Sequence, residues 1–494
     1  MGSYPENRLK NRDLWILAVI TLLSMGAYLV FSGIYHSIGF PLDDAWIHQT
    51  YARNLAIKGE WAFIPGESSA GSTAPLWSAL LAVGFWLKLA PYAWAYLLGT
   101  AALWSLEVLG EKTVRSIVPS YRPGFPWVGT ILAMEWHLVW AAGSGMETLL
   151  YSLLVTSVLV LIISGSKKYY GLGILIGLSI WVRPDGITLL GAVALAILIN
   201  EKSWVARLKG LGRLSLCTGS LVTLYLLFNF AISKRSPLPN TFYAKQAEYA
   251  VYLQLPFLQR LGGEALQAMI GVGVLLLPGM ILTLLSAIRR RSWGTLVAFV
   301  WLVGFLCLYA WRLPVTYQHG RYVIPAMPIF YLIGLLGLVE FKLNSGNRWR
   351  WVIPAFWKLS VAVVLVIFWG RGAVAYAQDV AVINTEMVDT AKWVAVNIPP
   401  DKLVAAHDIG AMGYFGDHDL VDLAGLVSPE VIPFLRDETQ LAAYLNERGV
   451  SYLVTFPDWY PHLTSNLSMV FTTGAPYSLA FGEQNMAVYR WPAP

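Results

Sequence analysis

Charge is what this chain has least of. Asp, Glu, Lys and Arg supply 13% of its 494 residues, about half the share usual in soluble domains. That shortage excludes an ordinary soluble enzyme. Cysteine is nearly missing too. Cys217 and Cys307 are the two present, both inside apolar segments, which excludes a disulfide framework and reads as small buried side chains. No Cys/His spacing points to zinc, and no internal repeat or low-complexity run is visible. What the chain has in excess is apolar sequence, 56% of all residues, gathered in blocks of spanning length, about 17–25 residues. Its 22 Trp and 25 Tyr fit aromatic belts at membrane interfaces. The net charge of +6 implies no nucleic-acid partner, because cytoplasmic loops of membrane proteins collect Lys and Arg.

Apolar segments fall near 13–35, 92–110, 126–142, 145–165, 169–182, 186–200, 211–233, 266–288, 293–311, 322–340 and 352–370, about eleven crossings at the usual span length. The polar, basic Met1 to Arg12 followed by Leu14 to Phe31 has the layout of a signal peptide. Its apolar part is long and lacks a small-residue cleavage site, so a retained first helix is expected. Arg8, Lys10 and Arg12 place the N-terminus in the cytoplasm, and Lys167-Lys168, Lys202 to Arg213, Arg289-Arg290-Arg291 and Lys342 to Arg350 mark later cytoplasmic loops. Alternation then puts Asp43, Asp44, Glu147, Asp185, Lys245, Arg321 and the whole tail outside. It requires one net crossing between 75 and 110.

This divides the chain into a membrane module, 1–372, carrying an outer loop at 36–74, and an extracytoplasmic domain, 373–494. In the loop, Ile47, Tyr51, Asn54 and Leu55 recur at helical spacing, which predicts an amphipathic helix on the membrane surface. In the tail, Leu403 to His407 and Tyr452 to Thr455 read as buried strands, and Thr385 to Asn397 and Thr439 to Arg448 as helices. That alternation predicts a small α/β domain.

The chemistry-bearing residues gather at the outer face. Asp43-Asp44 follows the first apolar segment directly. Ionised carboxylates beside hydrocarbon are costly, and adjacent like charges need a cation, a shared proton or water. Either carboxylate suits a general base; the competing reading is an interfacial turn with a helix N-cap. His48 lies one turn on and is a candidate to neutralise the pair. Glu147 opens a span, where it would orient a substrate, share a metal or cap its helix. Arg183 and Asp185 flank a Pro-Gly turn as a site pair or a structural ion pair. Asn240, Tyr243 and Lys245, near Lys234 and Arg235, offer donors and cations to a lipid phosphate or a headgroup. His319 and Arg321 form a second cationic site, and the guanidinium fork of Arg321 suits phosphate best. His407-Asp408 precedes Gly410, Gly413 and Gly416, a turn suited to cradling a phosphate or to structure alone. A divalent cation held by Asp43, Asp44 and Glu147 is a candidate cofactor.

Pro41-Leu42-Asp43-Asp44-Ala45-Trp46-Ile47-His48, Tyr51-Ala52-Arg53-Asn54-Leu55-Ala56, Phe63-Ile64-Pro65-Gly66-Glu67 and Gly71-Ser72-Thr73-Ala74-Pro75-Leu76-Trp77 closely resemble the first loop of a known family. It is the GT-C group of polyprenyl-phosphate-sugar glycosyltransferases that includes the mycobacterial terminal β-1,2-arabinofuranosyltransferase. Further matches occur in order at Ser144-Gly145-Met146-Glu147-Thr148, Arg183-Pro184-Asp185-Gly186, Pro239 to Lys245, Gly320-Arg321-Tyr322 with Pro325, His407-Asp408-Ile409-Gly410 and Asp422 to Leu426. The resemblance implies a polytopic α-helical GT-C membrane protein with an extracytoplasmic active site. It implies a polyprenyl-phosphate sugar donor, inversion at the anomeric carbon and Asp43-Asp44 as the catalytic acidic pair. It also implies residence in a bacterial or archaeal cytoplasmic membrane, a glycan, lipid or protein acceptor of the cell envelope, and a tail over the active site in which His407 and Asp408 recognise that acceptor. The arabinosyl relatives often carry Gly-Tyr-Thr where this chain has Gly71-Ser72-Thr73, so the sugar is left open. The runner-up is a transporter or flippase of a lipid-linked saccharide, which would show internal repeats and interrupted helices at the midplane.

Overall fold

The computed structural model describes residues 9–233, 236–341, 349–416 and 418–492. Arg8, Lys234, Arg235, Lys342, Arg348 and Asp417 lie outside the described residues.

Helices build most of the chain. The first part holds α1 (Asn11–Tyr35), α2 (Asp44–Lys58), the small hairpin β1 (Ala62–Ile64) and β2 (Glu67–Ser68), α3 (Pro75–Trp86) and α4 (Pro91–Ile117). Next come α5 (Trp127–Met134), α6 (Trp136–Ala142), α7 (Thr148–Ile163), α8 (Tyr169–Val182), α9 (Thr188–Asn200) and α10 (Trp204–Ile232). After them run α11 (Asn240–Glu248), α12 (Phe257–Met269), α13 (Val272–Arg290), α14 (Trp293–Arg312), the single turn α15 (Tyr317–Gly320), α16 (Met327–Glu340) and α17 (Trp349–Val382). Among the described residues six stretches are long and apolar enough to cross a membrane: Asn11–Tyr35, Trp204–Ile232, Val272–Arg290, Trp293–Arg312, Tyr317–Glu340 and Trp351–Asn397. Shorter apolar helices, including α3, α7 and α8, pack among them.

One cluster of polar residues inside the bundle is matched within itself, as an apolar surround favours. Arg115 of α4 donates to Asp13 at 2.9 Å and to Glu111 at 2.7 Å, and Glu111 also accepts the amides of Val128 and Gly129. The segment 126–142, expected as one uninterrupted span, is broken at Glu135. Its extended backbone and its side chain, which accepts the Leu138 amide, start α6 afresh. The same carboxylate lies 2.8 Å from His137 Nδ1.

The last part begins on a continuous rod. α17 passes through a π-helical turn at Ile383–Val388 into α18 (Asp389–Asn397), so the division drawn at 372/373 falls inside a helix. Buried Glu386 in that turn accepts Thr473 Oγ1, Asn485 Nδ2 and the Met486 amide, fastening the rod to the tail domain. In that domain β3 (Val404–Ala406), α19 (Gly410–Phe415), β4 (Leu420–Asp422), α20 (Glu438–Arg448), β5 (Tyr452–Thr455), β6 (Ser468–Thr472) and β7 (Ala487–Arg490) form a five-stranded sheet with flanking helices. The order is β4-β3-β5-β7-β6; β3 is parallel to both β4 and β5, and β7 is antiparallel to β5 and β6. The two short central strands are fully buried over Val404, Ala405, Ala406, Leu453 and Val454.

The expectation that α2 lies amphipathically on a membrane surface is overturned. Ala45 through Ala52 are all buried, along with Asn54, because α2 is enclosed between α3 on one side and α19 on the other. Trp46 closes that contact, with its ring centroid 4.7 Å from those of Tyr414 and Phe415.

Candidate active site

Asp43 and Asp44 start α2 but neither caps it. Asp43 points into the tail domain. Its Oδ2 accepts the Gly410 amide at 2.7 Å and its Oδ1 the Ala411 amide at 2.8 Å, so it caps α19 instead. Only a glycine fits at 410, where a Cβ would lie 2.0 Å from the Asp43 carbonyl oxygen. Burial, reinforced by the nearby charge of Asp408, pushes the Asp43 carboxyl up to about 8 against the pull of the two amides.

Asp44 faces the opposite way, toward cations. Arg321 Nη2 donates to its Oδ2 at 2.6 Å and Lys245 Nζ at 3.4 Å. Burial works to raise this carboxyl, but Lys245 and Arg321 hold it well below the usual carboxylate range. Arg321 also donates to the Tyr322 hydroxyl at 3.0 Å. Its Nη1 is buried with no hydrogen-bond partner. An unpaired guanidinium nitrogen in a buried position is expensive, and an acceptor brought to it would remove that cost.

A second group adjoins the first. His48 Nδ1 lies 2.9 Å from Ser78 Oγ and 3.3 Å from Ser72 Oγ, while its Nε2 is 3.5 Å from Glu147 Oε2. Arg183 reaches Glu147 at 3.4 Å, Asp185 at 3.2 Å and the Tyr309 hydroxyl at 2.9 Å. The ring of Tyr322 stands between the two arginines, 5.5 Å from the Arg183 guanidinium and 4.9 Å from that of Arg321.

A third group comes from the tail and α11. His407 Nε2 lies 3.7 Å from Glu248 Oε1, and its Nδ1 is 2.7 Å from the Tyr460 hydroxyl. Asp408 Oδ2 is enclosed without a partner. Burial pushes this carboxyl up to about 6, with His407 pulling it down and Asp44 and Glu248 pushing it further up.

The fold thus brings Asp43, Asp44, His48, Glu147, Arg183, Asp185, Lys245, Arg321, His407 and Asp408 into three neighbouring groups. It sends the others elsewhere. His319 Nε2 pairs with Asp379 of α17 at 2.7 Å, and that carboxylate also takes Trp140 Nε1, so His319 and Arg321 are not one cationic site. Asn240 joins its own loop to the first loop and the tail, through its amide to the Ala70 carbonyl and its side chain to that of Leu426. Tyr243 is exposed, its ring edge against Phe242. Among the described residues no three His, Cys, Asp or Glu side chains converge as a metal site. Asp43, Asp44 and Glu147 each face different partners, so the three do not form a cage for a divalent cation.

Glu248, Tyr309 and Tyr460 also belong to these groups and were passed over by sequence reasoning, which had Tyr322 only as part of a motif. Glu248 was in principle visible, three residues beyond Lys245 on one helix. Tyr460 carried no local signal.

A family profile described as a domain of unknown function, DUF8728, matches residues 373–489. No curated protein matches. Among solved structures, ArnT from Cupriavidus metallidurans is similar over 96% of this chain and 97% of its own in the apo state, at 14% identity and a TM-score of 0.59. The same protein bound to undecaprenyl phosphate gives 0.56. The oligosaccharyltransferase AglB from Archaeoglobus fulgidus, in complex with an inhibitory peptide and a dolichol-phosphate, is covered over 69% of its length and 90% of this chain, at 11% identity and 0.57. Arabinofuranosyltransferase AftD from Mycobacteria is covered over 42% of its length and 98% of this chain, at 15% identity and 0.51.

Proposed function

We propose that this chain, which has the GT-C fold, is an inverting glycosyltransferase that moves one sugar from a polyprenyl phosphate to a hydroxyl acceptor on the outer face of the membrane. The observation that carries the reading is Asp44 held between Arg321 and Lys245, with Arg321 Nη1 left over for an anion. The likeness to enzymes solved with undecaprenyl phosphate and dolichol-phosphate supports a lipid-phosphate donor.

The geometry supports a division of labour. The donor phosphate sits on Arg321 and Lys245, where fixed cations stabilise the charge that grows as the bond breaks. Each cation shared with the phosphate holds Asp44 less strongly, so donor binding raises the basicity of Asp44. Asp44 then takes the proton of the acceptor hydroxyl. The acceptor oxygen forms a bond to the anomeric carbon as the bond from that carbon to the phosphate oxygen breaks, and its electron pair leaves on the polyprenyl phosphate. One base and one displacement give inversion. Asp43 acts through position: it fastens the tail domain over the catalytic loop. His48, Glu147 and Arg183 form the wall behind Asp44 and orient the sugar.

The test is transfer from purified protein supplied with short-chain polyprenyl-phosphate pentoses and hexoses and a mixed envelope-glycan acceptor. Sugar-dependent release of polyprenyl phosphate supports the reading. Transbilayer movement of an intact lipid-linked saccharide in liposomes, without bond cleavage, supports a flippase instead.

A further inference from the structure

The loop that joins β6 to β7, residues 473–486, has a fixed base and an open tip. Glu386 of the π-helical turn accepts Thr473 Oγ1 at 2.6 Å, and Asn485 Nδ2 and the Met486 amide at 2.8 Å each. The same Asn485 nitrogen donates to the Ala475 carbonyl at 2.8 Å. The tip is apolar. Its short helix, Pro476–Ala480, carries Leu479 at 57% exposure, and Phe481 follows at 55%. Glu483 is the one charged residue between 473 and 486. Leu and Phe held open to water forgo the free energy of burial, and such apolar patches mark contact surfaces.

Tyr477 fixes the depth of this tip. Its ring lies 5.8 Å from that of Tyr35 and 5.0 Å from that of His36, and its hydroxyl is 3.2 Å from His36 Nδ1. Tyr35 is the last residue of α1 and His36 its C-cap, and α1 is long and apolar enough to cross a membrane. The side of α1 that the bundle leaves open is apolar along its length, through Leu22, Leu23, Val30 and Ile34, as a side facing hydrocarbon must be. The loop is therefore seated at the level where α1 leaves the bilayer.

We propose that the 473–486 loop is a membrane wedge, by which the tail domain rests on the bilayer surface nearest to it. Leu479 and Phe481 enter the headgroup layer, and the rings of Tyr35 and Tyr477 stand at the interface beside them. One acidic residue and no basic one leave apolar burial as the driving force, without attraction to anionic lipid. Because Glu386 ties the base of the loop to the α17 rod, insertion of the tip sets the height of the tail above the bundle. The inference goes beyond the transfer reaction and does not depend on it.

Spin labels on the full chain test this. They are placed at Leu479→Cys, at Phe481→Cys and, as a solvated control, at Glu447→Cys of α20, each with Cys217→Ala and Cys307→Ala. The protein is reconstituted in nanodiscs of phosphatidylcholine, with and without phosphatidylglycerol. Power-saturation EPR compares access by oxygen, which partitions into lipid, with access by a water-soluble nickel chelate. The labels at 479 and 481 should favour oxygen and the label at 447 the chelate, unchanged by phosphatidylglycerol or by salt. Adding Phe481→Asp should shift the label at 479 toward the chelate. Chelate access at 479 and 481 equal to that at 447 overturns the proposal, since the loop would then stand in water. Shielding of both labels from oxygen and chelate alike overturns it in favour of a protein partner or a second copy. An oxygen preference that needs phosphatidylglycerol and is lost in salt overturns the apolar mechanism.

Discussion

Gly410 sits so close to Asp43 that its amide donates to the carboxylate at 2.7 Å while any Cβ would lie 2.0 Å from the Asp43 carbonyl oxygen. The first carboxylate of the acidic pair is therefore a latch between loop and tail. Gly410→Ala should lift α19 off α2 while leaving the bundle folded. Turnover is expected to fall at least about tenfold, since small misplacements of a site cost that much or more. Hydrogen exchange should rise around residues 404–415 and stay unchanged in α13 and α16. Equal loosening of the whole chain would count against a local latch.

Asp44→Asn separates base from anion site. Removing the carboxylate takes away the internal counter-ion of Arg321 and Lys245, so undecaprenyl phosphate should bind the variant at least as tightly as wild type. Sugar transfer should fall by about 10²-fold or more, the usual contribution of a general base. A variant that loses lipid-phosphate binding along with turnover contradicts the arrangement.

Arg321→Ala should raise the donor KM by about tenfold or more, the scale of a lost charge-assisted contact, with the acceptor KM nearly unchanged. Arg321→Lys should restore little of it, because an ammonium cannot hold Asp44 with one nitrogen, offer a second to the phosphate and lie over Tyr322. Steady-state kinetics with both substrates varied checks the split.

Asp408 links pH and stability. Its carboxyl is pushed up to about 6 by burial, facing His407, Glu248, Lys245, Asp43 and Asp44. A folded value above the unfolded one means that the native state holds the proton more tightly. The stabilising contribution is present in full at low pH and lost as pH rises through about 6. At pH 7 the ionised group costs stability, so Asp408→Asn should raise Tm by a few degrees. A Tm drop at pH 7 with an unaltered pH profile would make Asp408 an ordinary structural residue.

The membrane-embedded GT-C fold was legible because long apolar runs and an ordered series of motifs act locally along the chain. Asp44, Lys245 and Arg321 could be picked out for the same reason: each is a charge beside a span, where charge is rare and costly. The pairing of these groups could not be read. Adjacent Asp43 and Asp44 look equivalent in sequence, and only the path of the chain turns one toward Gly410 and the other toward Arg321. His319 looks like the partner of Arg321 two residues on, yet Gln318 and His319 both take left-handed backbone conformations, with φ of 52° and 58°, and His319 meets Asp379 of α17. The burial of α2 was hidden because its second covering layer, α19, lies more than 350 residues away.

The most direct measurement of the central claim is single-turnover sugar transfer from a panel of polyprenyl-phosphate sugars by wild type, Asp44→Asn and Asp43→Asn, with undecaprenyl phosphate binding recorded on the same preparations. The mechanism requires transfer by wild type, lipid-phosphate binding without transfer by Asp44→Asn, and partial transfer by Asp43→Asn that declines with loosening of the tail. Full transfer by Asp44→Asn would contradict it.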